Sequence, residues 1–95
     1  MHDITMFAIY DKKAEIYDTP LFFLKEVQAH RWFYTLVQQA EGRFQHFKDD
    51  MELHKIAQFN VTTGKIKDTE PEKIMEGKQI ILGKETGNNE NSNGA

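Results

Sequence analysis

Only one stretch of this chain repeats with a helical period, and the apolar runs around it are short and extended. Between Lys25 and Ala40, the residues Ala29, Trp32, Phe33, Leu36, Val37 and Ala40 fall on one face. Glu26, His30, Arg31, Gln38 and Gln39 fill the rest of that cylinder. The spacing predicts one amphipathic helix, stopped at Gly42 and lacking a Ser, Thr or Asp cap at its start. One helix alone cannot bury its own stripe. It needs a sheet beneath it, so the fold class is α+β.

The flanking segments supply that sheet. Ile4 to Tyr10 alternates, with Met6, Ala8 and Tyr10 on one face and Phe7 and Ile9 on the other. Apolar side chains on both faces predict an interior strand. The polar turn Asp11-Lys12-Lys13-Ala14 leads into a second extended segment, Glu15 to Phe23. Pro20 has no ladder donor, so it marks an edge or a break. Phe44 and Phe47 have the spacing of a single helical turn. Glu52 to Phe59 reads as a strand with Leu53, Ile56, Ala57 and Phe59 as core candidates, and their uneven spacing points to a bulge. Asn60 opens a hairpin turn with Gly64 at its left-handed position, and Lys65 to Lys67 form the returning arm. Thr69 to Lys78 reads as a polar linker with a short helical turn, and Gln79 to Gly83 as a last strand. The expected order is ββαβββ, a small, mainly antiparallel sheet covered on one face by a single helix. A chain of 95 residues makes one domain, placed at 1–83, and the polar tail 84–95 is expected to be disordered.

Several chemistries are excluded by what is missing. There is no cysteine, which removes disulfides, thiolate zinc sites and thiol catalysis, and is compatible with a reducing compartment. No apolar run approaches the roughly 20 residues that span a bilayer. The N-terminus has its acid early and its lysines after the apolar part, the reverse of a secretory signal. A soluble intracellular protein with no membrane partner is expected. His2, His30, His46 and His54 show no metal-ligand spacing, so no metal site is expected. Gly77 and Gly83 are spaced wrongly for a phosphate loop, and Glu85 follows Lys84 where a hydroxyl is needed. Asp49, Asp50 and Glu52 read as solvated loop carboxylates rather than an acid/base pair. Ser92 is the only serine and lies in the tail. No catalytic residue and no cofactor is expected, and the chain does not read as an enzyme.

What remains is a constellation of cations interleaved with rings: Tyr10, Lys12, Lys13 and Tyr17, then Arg31 and Tyr34, then Arg43, Phe44, Phe47 and Lys48. Single-strand binders need this pairing, because cations track phosphates while rings stack on bases of any sequence. The net charge of −3 works against a broad basic surface, although Glu70, Glu72, Glu76, Glu85 and Glu90 concentrate the acid in the last third. The candidate nucleic-acid residues are Lys12, Lys13, Arg31, Arg43 and Lys48 for phosphates, and Tyr10, Tyr17 and Tyr34 for bases. Phe7 and Phe22 are assigned to the core. The same pattern equally describes a packed core with a solvated rim, and both readings stay open on these residues.

The segments Tyr10–Phe23, Ala29–Phe33 and Asp50–Ile66 together resemble the small non-structural protein of gokushovirus-type microviruses, phages with circular single-stranded DNA genomes. The matching positions are Tyr10, Asp11, Lys13 and Ala14; Tyr17, Pro20 and Phe22; Ala29, Arg31 and Phe33; then Leu53, Thr63, Gly64 and Lys65. Their order and spacing over residues 6–67 carry the resemblance. Met51-Glu52 stands where that family often has Asp-Tyr, and the glycine often seen before the helix is absent. The resemblance implies a non-virion protein in the cytoplasm of a bacterial host, described as DNA-binding. It would act as genome replication gives way to single-strand synthesis and packaging. Single-stranded DNA is then the expected partner. The alternative is an interaction factor that engages the capsid precursor, a replication protein or a host factor without touching DNA. An exposed strand edge could also pair two copies into a homodimer.

Overall fold

The computed structural model describes residues 3–39 and 42–82. The chain runs through β1 (Asp3–Asp11), β2 (Ile16–Tyr17), β3 (Leu21–Phe23), α1 (Glu26–Gln38), α2 (Arg43–His46), β4 (Met51–Asn60) and β5 (Ile66–Glu76). Short 3-10 turns at Lys48–Asp50 and Gly77–Gln79 precede β4 and follow β5. All pairings are antiparallel, in the order β2-β1-β4-β5, with β3 also on β1. The fold is α+β, with one long helix on a five-stranded sheet, as the single helical period requires. The tail expected at 84–95 and Ala40 of the helical stripe lie outside the described residues.

β1 is interior, flanked by β4 on one side and by β2 and β3 on the other. The expected return strand is one path cut in two. Tyr10 pairs with Tyr17, the Asp18 amide donates to the Ile9 carbonyl at 2.8 Å, and pairing resumes at Leu21 opposite Phe7. Pro20 lies in the gap, where no donor is required. The Ile56 bulge is present: β1 and β4 slip register between Met6 and Phe7, and Ala57 is followed by Lys55 across the ladder.

The two hairpins are built alike. Asp11 Oδ1 accepts from the amides of Lys13 and Ala14, and Asn60 Oδ1 accepts from those of Thr62 and Thr63. Each loop closes on a residue in the left-handed region, Glu15 at φ 61° and Gly64 at φ 77°. Each of those residues donates its amide to the carbonyl four positions back, at 2.7 and 2.8 Å. Glycine adopts this conformation freely, whereas Glu15 carries a Cβ that crowds its own carbonyl.

α1 begins without a side-chain cap of the usual kind. Instead Gln28 reaches back, its carboxamide oxygen accepting from the amides of Leu24 and Lys25 at 3.1 and 3.0 Å. The helix ends at Gln38, and Gly42 is not its stop but the residue that opens α2. Ala29, Phe33 and Val37 are fully buried against Phe7 and Ile9 of β1 and Met51 and Leu53 of β4. Phe23 and Trp32 extend this core, their rings 5.6 Å apart.

Two expectations at the C-terminal side are corrected. The segment read as a linker is the body of β5, and the segment read as a last strand is a 3-10 turn followed by Ile80, which is buried without strand pairing. β5 is a polar edge strand exposed on both faces from Ile66 to Lys73, so it carries no alternation to read. Its ladder with β4 is irregular, and Pro71 falls where the register jumps from Glu72 to Asp68. Gly77 then turns the chain under Lys48. A Cβ there would stand 2.2 Å from the Lys48 carbonyl oxygen, closer than any packing tolerates.

Two substitutions test these turns. Glu15→Gly should raise stability by about 1 kcal/mol by relieving the left-handed strain. Gly77→Ala should lower it by about 2 kcal/mol through backbone displacement. Thermal or denaturant melts check both, and equal midpoints for the three proteins would contradict the turn geometry.

Candidate functional site

With α1 over one face of the sheet, the other face has no covering layer among the described residues. Alternation places Met6, Ala8 and Tyr10 there, together with their cross-strand neighbours Phe22, Ala57, His54, Tyr17 and Glu52. This corrects the assignment of Phe22 to the core. Phe7, which is 1% exposed, pairs with Leu21 and faces the helix; Phe22 pairs with Met6, faces the other way and is 44% exposed. Its ring meets Phe59 edge-on at 5.9 Å.

At the α2 end of this face, three rings converge. Tyr10 lies 4.6 Å from Tyr17 and 5.3 Å from His54 between centroids. The Tyr17 hydroxyl is 2.8 Å from His54 Nδ1, and His54 Nε2 is 2.8 Å from Glu52 Oε1. An ionised carboxylate only accepts, so His54 Nε2–H donates to it. In the neutral ring, Nδ1 is then left to accept from the Tyr17 O–H. For an ionised Glu52 and a neutral His54, the proton order is therefore Tyr17 to His54 to Glu52.

Glu52 is the unexpected member. The sequence reads it as a solvated carboxylate at the head of a strand; it does lie in β4, but is only 8% exposed. Its ladder partner on β5 is Glu76, an opposition of like charges that is unfavourable by itself. Cations resolve it. Lys12 and Lys73 approach Glu52 Oε2 at 3.6 and 3.8 Å, Lys73 is hydrogen-bonded to Glu76, and Lys78 stands 3.8 Å from Glu76. The hydrogen bond from Lys73 is the chief cause that holds the Glu76 carboxyl below its ordinary value, and the same bond raises the Lys73 amine. Burial, then the neighbouring Tyr10 and Glu52, push the Tyr17 phenol above its ordinary value.

The expected site residues do not form one surface. Tyr10, Lys12 and Tyr17 meet on the open face, and Lys13 sits exposed in the adjoining turn. Arg31 and Tyr34 belong to the opposite layer, beside His30, Thr35 and Met75. Arg43 is paired with Asp18 at 2.6 Å and lies over the Phe44 ring at 4.4 Å. The Lys48 amine reaches Asp49 and the carbonyls of Gly77 and Lys78, tying the two 3-10 turns together. Glu52, His54 and Lys73 were missed as site residues. A Glu and a His two apart in a strand point to the same side, and that signal was available; Lys73 was hidden by the linker reading.

Among the described residues, no helix is long and apolar enough to cross a membrane. The family model described as Phage ORF5 protein matches residues 4–80. No curated protein and no solved structure matches the chain.

The signs of the shifted groups give opposite pH limits. Tyr17 favours its protonated form in the fold, so its contribution is complete below the ordinary phenol range and is lost as pH rises through its own raised value. Glu76 contributes above the ordinary carboxyl range and loses that contribution as pH falls through its depressed value. Phenolate absorbance should therefore show a step above the ordinary tyrosine range. Tyr17→Phe should remove that step and Glu52→Gln should move it downward. If the uppermost step survives in Tyr17→Phe, the assignment fails.

Proposed function

Because the chain belongs to the phage ORF5 protein family, we propose that it is a non-structural phage protein that binds single-stranded DNA on the open face of its sheet. The observation that carries this reading is a sheet face with no covering layer, on which exposed rings stand next to lysines. Tyr17 and Phe22 are 39% and 44% exposed, and Lys12 and Lys13 border Tyr17 across the β1–β2 turn. A sheet surface bearing rings stacks unpaired bases, and lysines at its rim take the phosphates. The negative net charge is no barrier here, because the three lysines Lys12, Lys73 and Lys78 outnumber the two carboxylates Glu52 and Glu76 that they contact. The resemblance to gokushovirus-type proteins supports the setting, genome replication and packaging in the cytoplasm of a bacterial host. Binding, without a chemical step, is the activity.

One observation favours the second reading, an interaction factor for a capsid, replication or host protein. Leu21, Leu24 and Val27 gather at the junction of β3 and α1 and are 41%, 55% and 56% exposed. Aliphatic side chains do not stack on bases, but they do dock against protein. Self-pairing through a strand edge is disfavoured. β2 and β3 are short and separated by Pro20, and β5 carries Pro71 and two register shifts.

Titration of a labelled oligothymidylate at two salt concentrations tests the proposal. Binding should weaken as salt rises, through counterion release. Tyr17→Ala and Phe22→Ala should each weaken it by about tenfold. Glu52→Gln, which keeps an oxygen to accept from His54 and releases Lys12 while Lys73 stays bonded to Glu76, should tighten it. Undetectable binding at low salt would sink the DNA reading, and nuclease-resistant capture of one partner, lost on Leu24→Asp, would then establish the second.

A further inference from the structure

On the layer opposite the open face, α1 and β5 leave a groove of about 440 Å³ lined by His30, Arg31, Tyr34, Thr35 and Met75. Its origin is geometric. The buried stripe of α1 packs over β1 and β4, so the edge strand β5 has only the flank of the helix above it. Met75, opposite Leu53 on the helix side of the ladder, forms an apolar floor. Tyr34 stands over it with 44% of its surface exposed. Arg31 is exposed at the rim and has no ion-pair partner among the described residues, unlike Arg43, which Asp18 already holds. His30 is a wall rather than a free hydrogen-bonding group: its Nε2 is shielded from solvent, 3.4 Å from the Glu26 carboxylate without a hydrogen bond.

We propose that this groove is a nucleotide site, with the base against Tyr34 and Met75 and the phosphate on Arg31. Each wall selects one part of that ligand. A phenol ring and a thioether complement a flat, polarisable heterocycle. An unpaired guanidinium takes a phosphate through two parallel N–H donors. Thr35 offers a hydroxyl for a base edge or sugar. The depression is shallow and open to solvent, with room for one nucleotide lying against its apolar lining. A free nucleoside monophosphate and one unit of a passing DNA strand present the same chemistry. The site is separate from the open face and does not rest on it.

Amide spectra of the full chain titrated with dTMP, thymidine and an oligothymidylate test this. With dTMP, the amides of Tyr34, Thr35 and Met75 should shift and saturate. Thymidine, lacking the phosphate, should bind at least about tenfold more weakly, as should dTMP to Arg31→Ala or Tyr34→Ala. All of these positions are on the surface, and the dispersion of the remaining amides reports that the variants are folded. Tyr17→Ala should leave the dTMP shifts unchanged while weakening the oligonucleotide on the open face. If the oligonucleotide also moves the groove amides, the ligand is a strand unit; if only dTMP moves them, it is the free nucleotide, and both results sustain the site. Unsaturated shifts with both probes overturn it, as do equal affinities for dTMP and thymidine or indifference to Arg31→Ala and Tyr34→Ala. Failure of the oligonucleotide on the open face with intact dTMP binding would remove the proposed function and leave this site standing.

Discussion

A helix of thirteen residues can shield only one face of a five-stranded sheet, and the rest of this molecule is organised around that shortage. Phe33, Ala29 and Val37 seal the covered face against Phe7, Ile9 and Leu53. Water reaches the other face, so its side chains must tolerate water without surrendering the packing that keeps the strands together. The solution differs along the strands. Toward the free hairpin, Phe22 and Phe59 pack edge-on and stay partly wet. Toward α2, Tyr10 packs on Tyr17 and His54, and those two combine ring packing with a mutual hydrogen bond.

Glu52 shows how far this arrangement reaches. A carboxylate at 8% exposure loses most of its hydration and must recover it from partners. His54 supplies a hydrogen bond, and Lys12 and Lys73 supply charge from the β1 turn and from β5. Three strands are therefore coupled through one side chain. The coupling also ties up cations that a polyanion would need, so the same group that steadies the open face sets an electrostatic threshold for anything that binds there.

The features legible in the sequence were those determined locally. Helical period marked α1, Asn60 and Gly64 marked a hairpin, and the uneven spacing of Leu53, Ile56 and Ala57 marked the bulge. Pro20 was readable as a break because proline lacks a donor whatever surrounds it. What stayed hidden depends on neighbours distant in sequence. The body of β5 has charged residues on both faces because it is an edge, and nothing within the segment says so. Phe7 and Phe22 have the same chemistry but opposite fates, decided by a pairing register between two strands. Glu52 is buried only because Lys12, His54 and Lys73 arrive from elsewhere in the fold. The site followed the same rule: Tyr10, Lys12 and Tyr17 are joined by a short hairpin and were found together. Arg31 and Tyr34 share a helix turn that faces the other layer.

The matched hairpin loops at Asp11–Glu15 and Asn60–Gly64 bear on how the chain assembles. Each corner is closed by bonds between residues no more than four apart, and the first is also tied to the turn before β4, where the Lys12 amide donates to the Asp50 carbonyl at 2.8 Å. Such corners form in microseconds, before distant segments meet. The remaining pairing, β1 with β4, joins Asp3 to Asn60 and must wait for the intervening chain to collapse. The sheet is thus two hairpin ribbons joined along β1 and β4, and α1, packed on Phe7 of one and Leu53 of the other, bridges the seam between them.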